Sequence, residues 1–104
     1  AVPDAFYTVP SAPAATLVMS GGVDPVTPPR HGARVAEAPG AKARHVVVPN
    51  AGHGVMAIGC MRDVLYRFVD AVTDDEALQV DASCVTAIPR PPMFAPMVLP
   101  ALAR

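Results

Sequence analysis

The chain has 104 residues, of which 52% are hydrophobic and 16% charged, with 13 prolines and a net charge of −1. A mean hydropathy of +0.35 with so little net charge excludes a disordered polar chain. The balanced charge and sparse aromatic residues exclude a typical nucleic-acid surface, and no apolar run is long enough for a transmembrane helix. The frequent prolines predict short elements within at most one domain.

The first half of the chain predicts a βαβ unit. Residues 1–13 are expected to form a loop, because three prolines interrupt any periodicity. Two apolar runs, residues 15–20 and 44–48, are typical of strands buried in a parallel sheet. Residues 30–38 between them predict a helix with Thr27 as its N-cap. This order of elements predicts parallel strands joined by a crossover helix.

The second half predicts an amphipathic helix and an extended tail. Residues 59–72 carry apolar side chains at helical spacing, with charged residues on the opposite side. Thr73 can cap a short helix that ends near Gln79. We expect the proline-rich residues 86–104 to lie extended over a hydrophobic surface. The predicted fold class is therefore α/β, with two parallel strands, a crossover helix, an amphipathic helix and a tail.

Asp24 and His53 are the candidate catalytic residues. Each follows one of the predicted strands, and parallel strands joined by one crossover end at the same edge of a sheet. The two side chains can therefore meet, and a carboxylate beside an imidazole is the orienting half of a nucleophilic triad. A turn aspartate before Pro25 and a loop histidine without chemistry are the alternatives.

Two motifs around these residues resemble a known superfamily. Residues 20–28, Ser-Gly-Gly-Val-Asp-Pro-Val-Thr-Pro, are similar to the acid loop of α/β-hydrolases. Residues 49–54, Pro-Asn-Ala-Gly-His-Gly, are similar to their histidine loop. The resemblance implies that Asp24 is the acid and His53 the base of a Ser-Asp-His triad.

The cysteines narrow the resemblance to one group. Cys60, which follows a glycine after the histidine loop, and Cys84 match the tripeptidyl-aminopeptidase-like (TAP-like) C-terminal segment. The resemblance covers residues 16–85 and implies that residues 1–104 are the C-terminal part of an α/β-hydrolase domain. It also implies a Cys60–Cys84 disulfide, with two buried thiols in a reducing compartment as the alternative.

The nucleophile of such an enzyme is missing from this sequence. α/β-Hydrolases carry their serine in a Gly-x-Ser-x-Gly motif, and none of Ser11, Ser20 and Ser83 stands in one. We therefore expect the serine, and a signal peptide, on an N-terminal part outside the sequence, and no activity from this chain alone. The resemblance implies a secreted or periplasmic aminopeptidase-like enzyme with a peptide or ester substrate.

The sequence also leaves an alternative function open and contains other histidines and cysteines outside the candidate pair. A non-catalytic association module, or a regulatory subunit that completes another chain's triad, is the alternative function. Unpaired strand edges predict contact with the remainder of the hydrolase or self-association. No nucleic-acid partner, membrane span or cofactor is predicted. His31 and His45 are expected to be structural or solvated, and the spacing of His and Cys residues matches no zinc pattern.

Overall fold

The predicted α/β fold class is confirmed by the arrangement of strands and helices. A computed structural model of the chain describes residues 2–9 and 13–91. Strands β1 (Thr16–Gly21) and β2 (Ala43–Val48) pair in parallel. The crossover helix α1 (Pro29–Ala36) contacts both strands. Each strand begins and ends within one residue of its predicted bounds, because glycine or proline ends each apolar run.

The two faces of the sheet pack against different layers. Val46 and Val48 of β2 are buried in the hydrophobic core on one face. Ser20 and His45 lie on the other face, beneath α1, where a Cβ on Gly32 would collide with both side chains. This glycine lets the helix approach the sheet closely.

Two further helices and a 3₁₀ helix follow the sheet. Helix α2 (Met61–Asp70) is shorter than predicted, because Gly59 has a φ of +51° and Ala71 is already extended. Val72, predicted on the apolar face of α2, is therefore 88% exposed. Helix α3 (Asp74–Leu78) begins as predicted, since the Thr73 hydroxyl accepts a hydrogen bond from the Glu76 amide.

A 3₁₀ helix at each end of the described chain was not predicted. The expectation of a loop over residues 1–13 was wrong for Asp4–Tyr7, which forms a 3₁₀ helix. Its turn closes when the Phe6 amide donates to the Pro3 carbonyl, so the proline precedes the helix rather than interrupting it. The second 3₁₀ helix spans Ser83–Ala87.

The hydrophobic core lies between the sheet, α2 and the C-terminal 3₁₀ helix. Met61, Val48 and Val64 are fully buried within it. These three side chains come from β2 and α2, so the core fixes the amphipathic helix against the second strand. The complete cluster of buried residues is Val46, Val48, Ala51, Val55, Met61, Val64, Val80, Ala82, Val85 and Ile88.

Only the start of the predicted tail is described. Residues 86 and 87 belong to the 3₁₀ helix Ser83–Ala87 and are not extended, and Ile88 is buried in the core. The extended segment expected beyond residue 91 lies outside the described residues. Among the helices that the structure does describe, none has the length and apolarity to cross a bilayer.

Cys60 and Cys84 form a disulfide that joins the start of α2 to the C-terminal 3₁₀ helix. The bond closes a loop with a sequence separation of 24 residues. Both cysteines are partly buried against the hydrophobic core. The disulfide therefore ties the last described segment to the helix that follows the histidine loop.

Removing the disulfide is expected to destabilise the fold. The Cys60→Ser/Cys84→Ser double variant should lose about 3 kcal/mol of unfolding free energy, because the unfolded chain regains the freedom of the open loop. Urea unfolding of the oxidised chain and the variant measures the difference. Ala57→Ser, at an exposed position just before the closed loop, is the control. A loss of less than about 1 kcal/mol would show that the covalent link adds little.

Candidate active site

The loop between β1 and α1 surrounds Asp24 with hydrogen-bond donors. The backbone amides of Val26 and Thr27 donate to Asp24 Oδ1 at 2.8 and 3.1 Å. The Thr27 hydroxyl donates to Asp24 Oδ2 at 2.9 Å. Only 3% of the Asp24 side chain is exposed. The turn role considered for this aspartate is therefore present, and it fixes the direction in which Oδ2 points.

His53 lies against the same carboxylate. Its Nδ1 is 2.8 Å from Asp24 Oδ2, while 63% of its side chain is exposed. The structure thus brings together the two side chains selected from the sequence. A ring that donates its Nδ1 proton to a carboxylate presents an unprotonated Nε2, the form that a general base requires.

Glycines allow the acid and histidine loops to approach each other. The Gly22 amide donates to the Val48 carbonyl at 2.8 Å, and the Val23 amide donates to the Ala51 carbonyl at 3.1 Å. A Cβ on Gly21 would collide with the Gly52 carbonyl. The close contact between the two loops therefore depends on the glycine pair that ends β1.

The Asp24 carboxyl is held in its charged form. Burial alone would raise its pKa. The hydrogen bonds from His53, Thr27 and Val26 outweigh burial and hold the pKa of Asp24 well below its usual range. A carboxylate that stays charged orients the imidazole and stabilises the imidazolium formed by proton transfer.

Acid should remove the stability that this carboxylate gives the fold. Because its folded-state pKa lies below the unfolded value of about 3.9, the contribution is complete above about pH 5 and is lost progressively below it. We expect the stability advantage of the wild type over Asp24→Asn to shrink between about pH 5 and about pH 2. Urea unfolding of both proteins at a series of pH values measures this difference in unfolding free energy.

The pKa of the Asp81 carboxyl is also lowered, so the effect of Asp81 has to be separated from that of Asp24. Hydrogen bonds from the Ser83 hydroxyl and amide lower the pKa of Asp81. Because Asp81 is present in both proteins, its contribution cancels in the difference between the wild type and Asp24→Asn. A difference in unfolding free energy that stays constant between about pH 5 and about pH 2 would contradict the prediction.

Thr27 belongs to the site, although the sequence interpretation gave it another role. The N-cap of α1 is Pro28, and no side chain caps the helix. With Thr27 as N-cap, Pro29 at N2 would have no N–H to donate, which would leave only the Arg30 amide at N3 as a partner. The Thr27 hydroxyl instead bonds Asp24 and lies 3.3 Å from His53 Nδ1. The Pro28-Pro29 pair, which removes one amide that a Thr27 cap could use, was the signal that could have indicated the different role of Thr27.

His31, His45 and Ser20 lie away from the Asp24–His53 pair. Ser20 Oγ is 2.7 Å from His45 Nε2, and this bond links the two strands beneath α1. The contact agrees with the structural role expected for His45. His31 is exposed on α1. Within residues 2–9 and 13–91, no group of three His, Cys, Asp or Glu side chains is arranged to hold a metal ion.

Comparison with known families agrees with the loop motifs and the geometry. The family model described as TAP-like protein matches residues 3–84, which include both loops and both cysteines. The chain belongs to the TAP-like family. No curated protein and no solved structure matches it significantly. The TAP-like fold is that of the C-terminal part of an α/β-hydrolase, and the family and the disulfide are compatible with an extracellular location.

Proposed function

We propose that this TAP-like chain supplies the acid and the histidine of a Ser-Asp-His triad in a secreted serine exopeptidase of the aminopeptidase type. The observation that carries the proposal is the 2.8 Å contact between Asp24 Oδ2 and His53 Nδ1 on a ring that is 63% exposed. Family membership supports the hydrolase class. The pair is incomplete without a nucleophile, and no serine of the sequence stands in the Gly-x-Ser-x-Gly motif.

The proposed mechanism assigns one step to each side chain. His53 Nε2 takes the proton of the serine hydroxyl as the serine oxygen attacks the substrate carbonyl, and then gives it to the leaving amine. Asp24 stays ionised and stabilises the imidazolium between these two transfers. Water then attacks the acyl-enzyme with His53 again as the base, and the imidazolium returns the proton to the serine oxygen as its bond to the acyl carbon breaks and the acid product leaves.

The partner in this proposal is the nucleophile-bearing part of the same sheet. In the described ranges, β1 and β2 pair only with each other, so each strand has an unpaired edge. Unpaired edges favour the addition of further strands. The same observation supports a second candidate, a non-catalytic module that associates through its strand edges.

Labelling with a fluorophosphonate probe tests the proposal. The probe reacts with an activated serine, and we would add it to the polypeptide encoded immediately upstream, with and without this chain. The expected result is labelling of the upstream polypeptide only when the chain is present. A complex that forms without labelling would favour the association module. Labelling of the upstream polypeptide alone would contradict the proposed triad.

Loss of the Thr27 hydroxyl should lower the rate at which the assembled enzyme is labelled. Thr27→Val removes a hydrogen bond to the Asp24 carboxylate, and we expect the labelling rate to fall about tenfold. Thr27→Ser keeps the hydroxyl and should retain most of the rate. Thr8→Val makes the same substitution at an exposed site and is the control. An unchanged rate in Thr27→Val would exclude this role of the hydroxyl.

A further inference from the structure

The tip of the histidine loop has few contacts of its own. The histidine motif of residues 49–54 lies in a longer connection, residues 49–60, which runs from the end of β2 to the start of α2 and is termed the histidine loop from here on. Gly52 and Gly54 flank His53, and a Cβ on either glycine would meet nothing within 4 Å. The tip lies in open space, but Ala51 and Val55 on either side of it are buried in the core. The position of the imidazole therefore depends on its bond to Asp24 and on how these buried flanks and the ends of the loop are held.

Asn50 holds the first end of the loop. Its Nδ2 donates to the Ile88 carbonyl at 3.1 Å, and its Oδ1 accepts from Arg90 Nε at 3.3 Å. Both partners lie in the segment that follows the C-terminal 3₁₀ helix. The amide of Asn50 therefore joins the start of the histidine loop to a segment nearly forty residues further along the chain.

The same segment also holds the second end of the loop. The Ile88 side chain packs so closely on Gly59 that a Cβ there would lie 2.9 Å from Ile88 Cγ1. The next residue, Cys60, is bound to Cys84 by the disulfide. Ile88 thus contacts both ends of the loop, through its carbonyl at Asn50 and through its side chain at Gly59.

The segment is itself fixed to the core. Ile88 is 9% exposed and belongs to the buried cluster. Val85, at the centre of the C-terminal 3₁₀ helix, is 5% exposed in the same cluster. Ala51 and Val55 of the histidine loop belong to the same cluster, so the segment packs with the residues that flank the tip and can act as a rigid support for it.

We propose that residues 84–90, here termed the clasp, position His53 for proton transfer by fixing both ends of the histidine loop. Asn50 and Ile88 are the positioning residues, and neither contacts the reacting atoms. The catalytic consequence rests on the proposed function, whereas the effect on the imidazole does not. A displacement of about 1 Å in a catalytic group can lower a rate about a hundredfold, so a small loosening of the loop is sufficient.

NMR of the complete 104-residue chain tests the clasp without a substrate or partner. At alkaline pH, the two ring ¹⁵N shifts of His53 report which nitrogen carries the proton. The wild type should show the Nδ1–H form held by Asp24. In Asn50→Ala, we expect both tautomers to be populated and the Ala51 amide, which donates to the Val48 carbonyl, to exchange faster. Gln79→Ala removes an exposed amide side chain and should leave His53 unchanged.

Two further variants separate the contacts of the clasp. Asn50→Asp keeps the acceptor for Arg90 but loses the donor to the Ile88 carbonyl. We expect it to populate both His53 tautomers, as Asn50→Ala does. Ile88→Val keeps the carbonyl and loses the Cδ1 contact with Gly59. If Asn50→Ala unfolds, as circular dichroism would show, the milder Ile88→Val variant provides the same measurement in a folded chain.

The outcomes distinguish the clasp from the proposed function. Unchanged His53 shifts in folded Asn50→Asp and Ile88→Val, or an equal change in Gln79→Ala, would overturn the clasp. In the assembled enzyme, Asn50→Asp should lower kcat about tenfold while KM stays within about twofold, because positioning acts on the transition state. If the wild-type assembly is never labelled, the proposed function fails, but the NMR result for the clasp still stands.

Discussion

Replacing His53 with alanine should lower the kcat of the assembled enzyme by about 10⁶-fold. The variant has no group that can take the serine proton or give it to the leaving amine, and members of a triad act as a unit. KM should change little, because the imidazole acts on the transition state rather than on substrate affinity. Fluorophosphonate labelling and hydrolysis of a chromogenic aminoacyl amide measure the loss.

The fold should tolerate this substitution. His53 is largely exposed, the flanking glycines lie in open space, and the core does not include the imidazole. His31→Ala, on the exposed side of α1, removes an imidazole without touching the site and is the matched control. If His53→Ala were labelled as fast as His31→Ala, the base would have to be another residue and the triad assignment would be wrong.

The sequence predicted the parts of the fold that depend on local signals. β1 and β2 are continuous apolar runs bounded by glycine or proline, and such runs mark buried strands irrespective of their neighbours. The meeting of Asp24 and His53 also followed from the sequence, because parallel strands joined by one crossover must end at one edge.

Features that depend on distant contacts could not be predicted in this way. The bond from Ser20 to His45 requires the register of the two strands, which the apolar runs do not specify. The Asn50 bond to Ile88 joins residues 38 positions apart. Thr27 was misassigned because a threonine before a helix is usually its N-cap. Here the N-cap is Pro28, and the Thr27 hydroxyl donates to the carboxylate of Asp24 instead of capping the helix.

Asp24→Asn tests the orientation of the imidazole with the smallest change of shape. An asparagine at this position can still accept hydrogen bonds from the Val26 and Thr27 amides through its oxygen, as Asp24 Oδ1 does. Its NH₂ group then occupies the Oδ2 position, 2.8 Å from His53 Nδ1. There it donates to the ring instead of accepting from it, so we expect the ring proton to move to Nε2.

A His53 ring with its proton on Nε2 cannot take the serine proton, and we expect kcat to fall about 10⁴-fold with the fold intact. Labelling of the assembled enzyme measures the loss, and the ring ¹⁵N shifts of His53 measure the tautomer. Asp63→Asn, at an exposed position in the first turn of α2, makes the same chemical change away from the site. It should alter neither the labelling rate nor the His53 tautomer. If Asp24→Asn kept the Nδ1–H tautomer and still lost the rate, the negative charge of Asp24, rather than its control of the tautomer, would be what the imidazole requires.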